Sequence, residues 1–200
     1  MLLFAAAMSL AHRLRGALAR APRDGLLAGD LIENAPDADR EAAVLVAITQ
    51  RAEPGVLLTV RREHLRTHAG QVSFPGGRLD PGEDAVAAAL REAEEEIGLP
   101  AGQVEVWGLA DPYRTVTGYA VTPVVGLVPP DLPLAPHEHE VADWFEAPLS
   151  FLLDPANQQR MTAEFQGRMR DYYQIDWQGR RIWGATAAML VNLTRRLEWA

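Results

Sequence analysis

The hydrophobic positions of this chain follow two rhythms. Through the middle they come as short apolar, β-branched runs bounded by glycine and proline, which predict strands. "AAVLVAI" (42–48) and "VLLTVR" (56–61), joined by "TQRAEPG", predict a hairpin. "VEVWGLAD" (104–111) and "YAVTPVVGLV" (119–128) predict two more strands, and "VADWFEAPLSFLLDP" (141–155) a strand running into a short helix. Elsewhere the spacing is helical. Val86, Ala89, Leu90, Ala93 and Ile97 share one face, behind Asp84 as an N-cap and ahead of Gly98 and Pro100 as a stop. "ATAAMLVNLTRRLEWA" predicts a closing amphipathic helix over about 185–198, preceded by a hairpin centred on Gln178–Gly179.

Between these runs the chain is polar or irregular. Residues 22–40 are rich in Pro, Gly and Asp, and 68–84 carry Gly70, Gly76, Gly77, Gly82, Pro75 and Pro81, so both read as loops. Strands dominate the middle and helices lie between and after them, which predicts an α/β or α+β fold with a mixed sheet. The domain reading is a helix and loop over 1–40, then one domain over 41–200.

Composition narrows the function. Two hundred residues with 48% apolar and 23% charged content suit one ordinary globular domain. A net charge of −8 argues against nucleic acid or a membrane surface as partner. The absence of cysteine excludes disulfides, thiolate nucleophiles and Cys-type zinc sites. At the N-terminus "MLLFAAAMSLAHRLRGALARAP" has its charges, His12, Arg13 and Arg15, behind the apolar run, the reverse of a secretory signal. A plain helix ending near Pro22 is the expectation, with a transit peptide as the alternative. No apolar run reaches the ~18 residues of a membrane span. The expected location is cytoplasmic.

The densest chemistry is "REAEEEIG" (91–98). On a helical wheel of ~100° per residue, Glu92, Glu95 and Glu96 fall within an arc of about 100°, beside the apolar stripe, while Arg91 and Glu94 fall outside it. Carboxylates so close repel one another by roughly 0.2–0.5 kcal/mol per pair. Taken alone, such a helix face is simply solvated. With a cation among them, three hard oxygen donors suit Mg²⁺ or Mn²⁺.

Spacing decides between these two. Gly77, Glu83, Arg91, Glu92, Glu95, Glu96, Gly98 and Leu99 reproduce the Nudix box, G-x5-E-x7-R-E-U-x-E-E-x-G-U, over 23 residues, with Ala93 as the one mild departure. The chain therefore resembles a Nudix hydrolase from residue 40 to about 165. The resemblance implies a Nudix fold: an α/β/α sandwich with a mixed β-sheet, here with N-terminal and C-terminal helical segments added. It implies hydrolysis of a nucleoside diphosphate linked to another group. It also implies Mg²⁺ or Mn²⁺ held by Glu92, Glu95 and Glu96, with the Gly76 backbone as a further ligand, and Glu83 paired with Arg91 to brace the loop.

A second pattern lies upstream. In "LLTVRREHLRTHAGQVSFPGG" (57–77), Leu57, Leu58, Thr59, Arg61, Arg66, Gly70, Phe74, Pro75, Gly76 and Gly77 resemble the signature of Nudix enzymes that act on coenzyme A. Arg62 departs, since Ser or Ala is usual there. "IWGATA" (182–187) resembles the C-terminus of the same subfamily. The implied reaction cleaves CoA or acyl-CoA to 3′,5′-ADP and (acyl-)4′-phosphopantetheine. Arg61, Arg62, Arg66, Gly70, Phe74 and Gly77 are the expected substrate contacts, arginine being suited to bidentate phosphate binding. Glu140 is the expected acid outside the box, and Tyr113, Arg114 and Tyr119 are further candidates for the lining. The alternatives are another diphosphate such as ADP-ribose or NADH, or a non-catalytic Nudix binding module. Whether the chain works as a monomer or a homodimer stays open.

Overall fold

The computed structural model describes residues 13–22, 24–30, 40–62, 70–165 and 167–198. The elements are α1 (13–18), β1 (Arg40–Thr49), β2 (Gly55–Arg61), β3 (Val72–Ser73), β4 (Gly76–Arg78), α2 (Ala85–Ile97), β5 (Glu105–Leu109), β6 (Tyr113–Arg114), β7 (Tyr119–Val128), β8 (Val141–Pro148), α3 (Leu149–Leu152), β9 (Gln159–Phe165), β10 (Arg168–Trp177), β11 (Arg180–Trp183) and α4 (Ala185–Glu198).

The main sheet runs β3-β2-β1-β7-β5, with β4 paired to β1, β6 to β7 and β8 to β2. It is mixed: β1 and β2 are antiparallel, as the hairpin signal predicts, whereas β1 and β7 run parallel from Arg40↔Tyr119 to Thr49↔Val128. Alternation along β1 builds both faces. Ala43, Leu45 and Ala47 pack with Ala89, Ala93 and Ile97 of α2, while Ala42, Val46 and Ile48 pack with Leu14, Ala17 and Leu190 of α1 and α4. The α/β/α sandwich with a mixed sheet is the observed fold.

Capping fixes α2. The Asp84 side chain accepts from the Ala87 N–H at 2.8 Å, and Gly98 sits in the left-handed region at φ 67°. Asp84 and Gly98 therefore bound it as the sequence predicts.

The N-terminal residues are clipped to the last helix. Buried Asn192 on α4 accepts from the Leu27 N–H at 2.8 Å and donates to its carbonyl at 2.9 Å. Arg196 pairs with Asp111 through two contacts of 2.7 and 2.8 Å and donates to the Arg20 carbonyl. Tyr113 is buried and donates to Asp30.

One reading needs correction. The 68–84 segment is not wholly irregular, because β3 and β4 form inside it. The hairpin turning at Gln178 (φ 47°) and Gly179 (φ 77°) is there, yet it belongs to a three-stranded sheet β11-β10-β9 whose outer strand carries too weak an apolar alternation to read. Residues 1–12, which hold most of the amphipathic start, lie outside the described residues. Among the described residues no helix is long and apolar enough to cross a membrane.

Candidate functional site

The site forms where α2 crosses β4. Its buried residues are Ala88, Ala89, Ala93, Glu96 and Ile97, while Val86 and Leu90 are only half-buried. The buried face is thus rotated from the apolar stripe toward the carboxylates. Glu96 does not sit at the edge of that face but inside it, 3% exposed.

Two glycines permit this. β4 pairs with β1 at Val44↔Gly76 and Ala43↔Gly77. A Cβ on Gly77 would land on the Glu92 carboxylate, and one on Gly76 would strike the backbone of Ala43 and Val44. With no side chains there, the helix closes on the strand, and the Gly76 N–H donates to Glu96 Oε2 at 3.2 Å.

Burial sets the electrostatics. Glu96 is pushed up to about 7, first by desolvation and then by the neighbouring charges of Glu92 and Glu140, against the Gly76 N–H and the Arg61 guanidinium 3.7 Å away. Glu92 is also raised, chiefly by burial, with Glu95 and Glu140 adding to it and Arg91 opposing. Glu140 therefore acts on both box carboxylates from outside the helix. The 129–140 loop brings it there by docking on the end of α2, where the Ala135 and His137 N–H groups donate to the Ile97 and Glu96 carbonyls at 3.0 and 2.8 Å.

Arg91 ties the rest together. It grips Glu83 with two contacts of 2.8 and 3.0 Å, reaches Glu92 at 2.9 Å and Glu95 at 3.1 Å, and donates to the Arg78 carbonyl at 2.9 Å. The expected Glu83–Arg91 pair is present. The wheel set Arg91 apart from the carboxylate arc, but its long side chain spans the gap, since residues four apart on a helix are neighbours. The Arg91 contact holds the Glu83 carboxyl below its ordinary value.

The upstream pattern is met in part. Arg61 stands beside Glu96, and the Nε atoms of Arg61 and Arg62 are buried with no hydrogen-bond partner among the described residues. The Arg62 N–H donates to the Glu140 carbonyl at 3.2 Å, linking β2 to the acid loop. Gly70 is exposed and donates to the Arg61 carbonyl at 3.1 Å. Phe74, expected at the ligand, is 2% exposed in the core, where it supports the loop from beneath. "IWGATA" reaches the same region, because Thr186 donates to the Val72 carbonyl at 3.2 Å. Arg66 lies outside the described residues, as do His64 and His68. A surface cleft of about 420 Å³ lies along the outer side of α2 among Ala87, Leu90, Glu94 and Ala101, and Arg91 and Glu95 border it.

These residues fit a divalent cation. Among the described residues no three His, Asp or Glu side chains converge at ligating distances. Arg91 holds Glu92 and Glu95, and Glu96 turns toward Gly76. Yet Glu92, half-buried, and Glu96, buried, are hard donors that repel each other and are only partly neutralised, which is what a divalent cation would relieve. Glu96 predicts a signature of the metal-free protein. Its folded value lies above the ordinary 4.5, so its stability contribution is complete below about 4.5 and is lost as pH rises through about 7. Thermal unfolding in EDTA across that range should show wild type losing stability relative to Glu96→Gln; parallel curves would contradict the reading.

Comparison with known proteins bears on this geometry. The NUDIX domain model matches residues 39–170. The uncharacterized Nudix hydrolase NudL of Escherichia coli (strain K12) is 45% identical over 159 residues, covering 79% of this chain and 83% of that protein. The protein of the same name from Shigella flexneri is 44% identical over 167 residues, covering 83% and 87%. Among solved structures, a Nudix hydrolase from M. smegmatis, RenU, is 24% identical with a TM-score of 0.49, covering 64% of this chain and 81% of that one.

Proposed function

This chain belongs to the Nudix family, and from that premise we propose that it hydrolyses the diphosphate of coenzyme A and acyl-CoA, yielding 3′,5′-ADP and (acyl-)4′-phosphopantetheine, with Mg²⁺ or Mn²⁺. Family membership makes it a hydrolase of pyrophosphate bonds in nucleoside diphosphate derivatives, and Nudix hydrolases generally need divalent metal ions. The observation that carries the CoA reading is the 57–77 pattern, with its Arg61 standing beside Glu96.

The side chains divide the work as follows. Glu92, Glu96 and the more exposed Glu95 would hold the cation, with the Gly76 backbone beside them. When bound, a divalent cation neutralises the diphosphate and lowers the pKa of a bound water. Arg61, Arg62 and Arg66 supply the positive charge that an acidic protein needs to receive an anionic substrate. Arg91, braced on Glu83, fixes the orientation of Glu92 and Glu95. Glu140 is the acid that adds charge from outside the helix, as a further ligand or as the base.

Two experiments test this. CoA incubated with Mg²⁺ should give 3′,5′-ADP and 4′-phosphopantetheine by mass; release of any other pair would contradict the proposed bond. Arg61→Ala should lower kcat/KM for CoA by roughly 1.5–3 kcal/mol of lost charge-assisted contact and leave the fold intact. Unchanged kinetics would return Arg61 to a structural partner of Glu96.

A further inference from the structure

Arg40, Arg78 and Tyr119 form a second cationic centre, outside the carboxylate site. The two guanidinium carbons lie 4.6 and 5.3 Å from the centroid of the same Tyr119 ring. Both also donate to its hydroxyl, Arg78 Nε at 2.7 Å and Arg40 Nη1 at 3.4 Å, and Arg40 donates to the Thr117 carbonyl at 3.0 Å. These are their partners among the described residues, and none is a carboxylate. Arg51, Arg91, Arg180 and Arg196 are by contrast each engaged by an acid.

Two like charges on one ring repel, and an anion between them would relieve that repulsion. The phenol strengthens the point. Its oxygen accepts from both arginines, so its own proton remains to be donated to an incoming acceptor. Two guanidiniums and one hydroxyl, all at an exposed or half-buried surface, are donors matched to a phosphate and offer it no acceptor.

Location selects the phosphate. Arg78 follows Gly77, where a Cβ would land on the Glu92 carboxylate, and the Arg78 carbonyl is held by Arg91. Successive residues of a strand face opposite sides, so the cationic centre lies across the sheet from the carboxylates. The sheet ends here: β1 begins at Arg40, β7 at Tyr119, and β4 stops at Arg78. A ligand that turns over that edge can reach both faces, because Arg78 on one side is the chain neighbour of Gly77 on the other. We infer that Arg40, Arg78 and Tyr119 bind a phosphate monoester carried on the nucleotide half of the substrate. Resting on the CoA reading above, that group is the 3′-phosphate, and the centre is what separates CoA from its dephospho form.

The test uses binding, so that it does not depend on turnover. Calorimetry with Mg²⁺ should show adenosine 3′,5′-bisphosphate binding at least tenfold more tightly than AMP. The preference should fall below threefold in the Arg40→Ala/Arg78→Ala double variant, and to an intermediate value in Tyr119→Phe. The ratio of kcat/KM for CoA over 3′-dephospho-CoA should fall in parallel. A wild type that binds both nucleotides equally, or a preference that survives in the double variant, overturns the subsite. If CoA is not hydrolysed while the bisphosphate preference exists and depends on these arginines, the CoA reading falls and the phosphate subsite stands.

Discussion

Glu96→Gln is expected to lower kcat/KM by about a hundredfold or more, a loss of about 2.7 kcal/mol of transition-state stabilisation, without unfolding the protein. Glutamine keeps the volume and still offers an oxygen to the Gly76 N–H, so the contact between α2 and β4 survives. What disappears is a buried negative charge, the group a cation would use. Its neighbour Glu92 is half-buried beside it, and Glu92→Gln should cost on the order of 10²–10⁴-fold if that carboxylate also transfers a proton. The metal-free protein should respond in the opposite sense. Burial disfavours the charge on Glu96, and a neutral isostere removes that cost. Thermal unfolding therefore gives a second readout. Excess Mg²⁺ should stabilise wild type relative to EDTA, as mass action requires of a ligand bound by the native state, and the shift should shrink in Glu96→Gln. A variant that stays active and keeps the full shift would contradict the assignment.

The largest effect on stability is expected at Arg196→Ala. Arg196 is 6% exposed, meets Asp111 with two hydrogen bonds, and donates to the Arg20 carbonyl. Removing one partner of a buried pair leaves the other charged and uncompensated, which costs about 3–5 kcal/mol. For a domain of this size that is a fall in Tm on the order of 10 °C. Arg196 also joins α4 to α1 and the segment behind it by donating to the Ala17 and Arg20 carbonyls, so protection of residues 13–22 against hydrogen exchange should be lost first. Replacing both partners by apolar residues should recover most of the stability. A fall of less than about 1 kcal/mol in the single variant would show that the N-terminal segment is held by packing alone.

The strands with strong apolar runs were legible, and so was α2 with both of its caps. β1, β2 and β7 carry apolar runs rich in Val, Leu and Ile, and β8 alternates, burying Val141, Phe145 and Ala147. What was not legible was non-local. Nothing in "AAVLVAI" or "YAVTPVVGLV" states that these two runs lie parallel, since that pairing joins residues 79 positions apart. β9, β3, β4 and β6 are short or polar and exist through their partners, so their own sequence carries little signal. In the site, spacing named the carboxylates, but an ideal wheel counts only Cα directions. It set Glu96 at the margin of a face in which it is buried, and it set apart an arginine that reaches three of the glutamates. Phe74 lies in the core at 2% exposure, because a sequence pattern does not separate an aromatic that faces the cleft from one that packs beneath the loop.

Substrate choice is the most direct test. With Mg²⁺ or Mn²⁺ present, kcat/KM should be measured for CoA, ADP-ribose and NADH on the same preparation. The 57–77 arginines beside the box predict CoA to be preferred by at least tenfold, about 1.4 kcal/mol of discrimination. Equal or faster hydrolysis of ADP-ribose or NADH would contradict the CoA assignment and leave a Nudix hydrolase of another diphosphate.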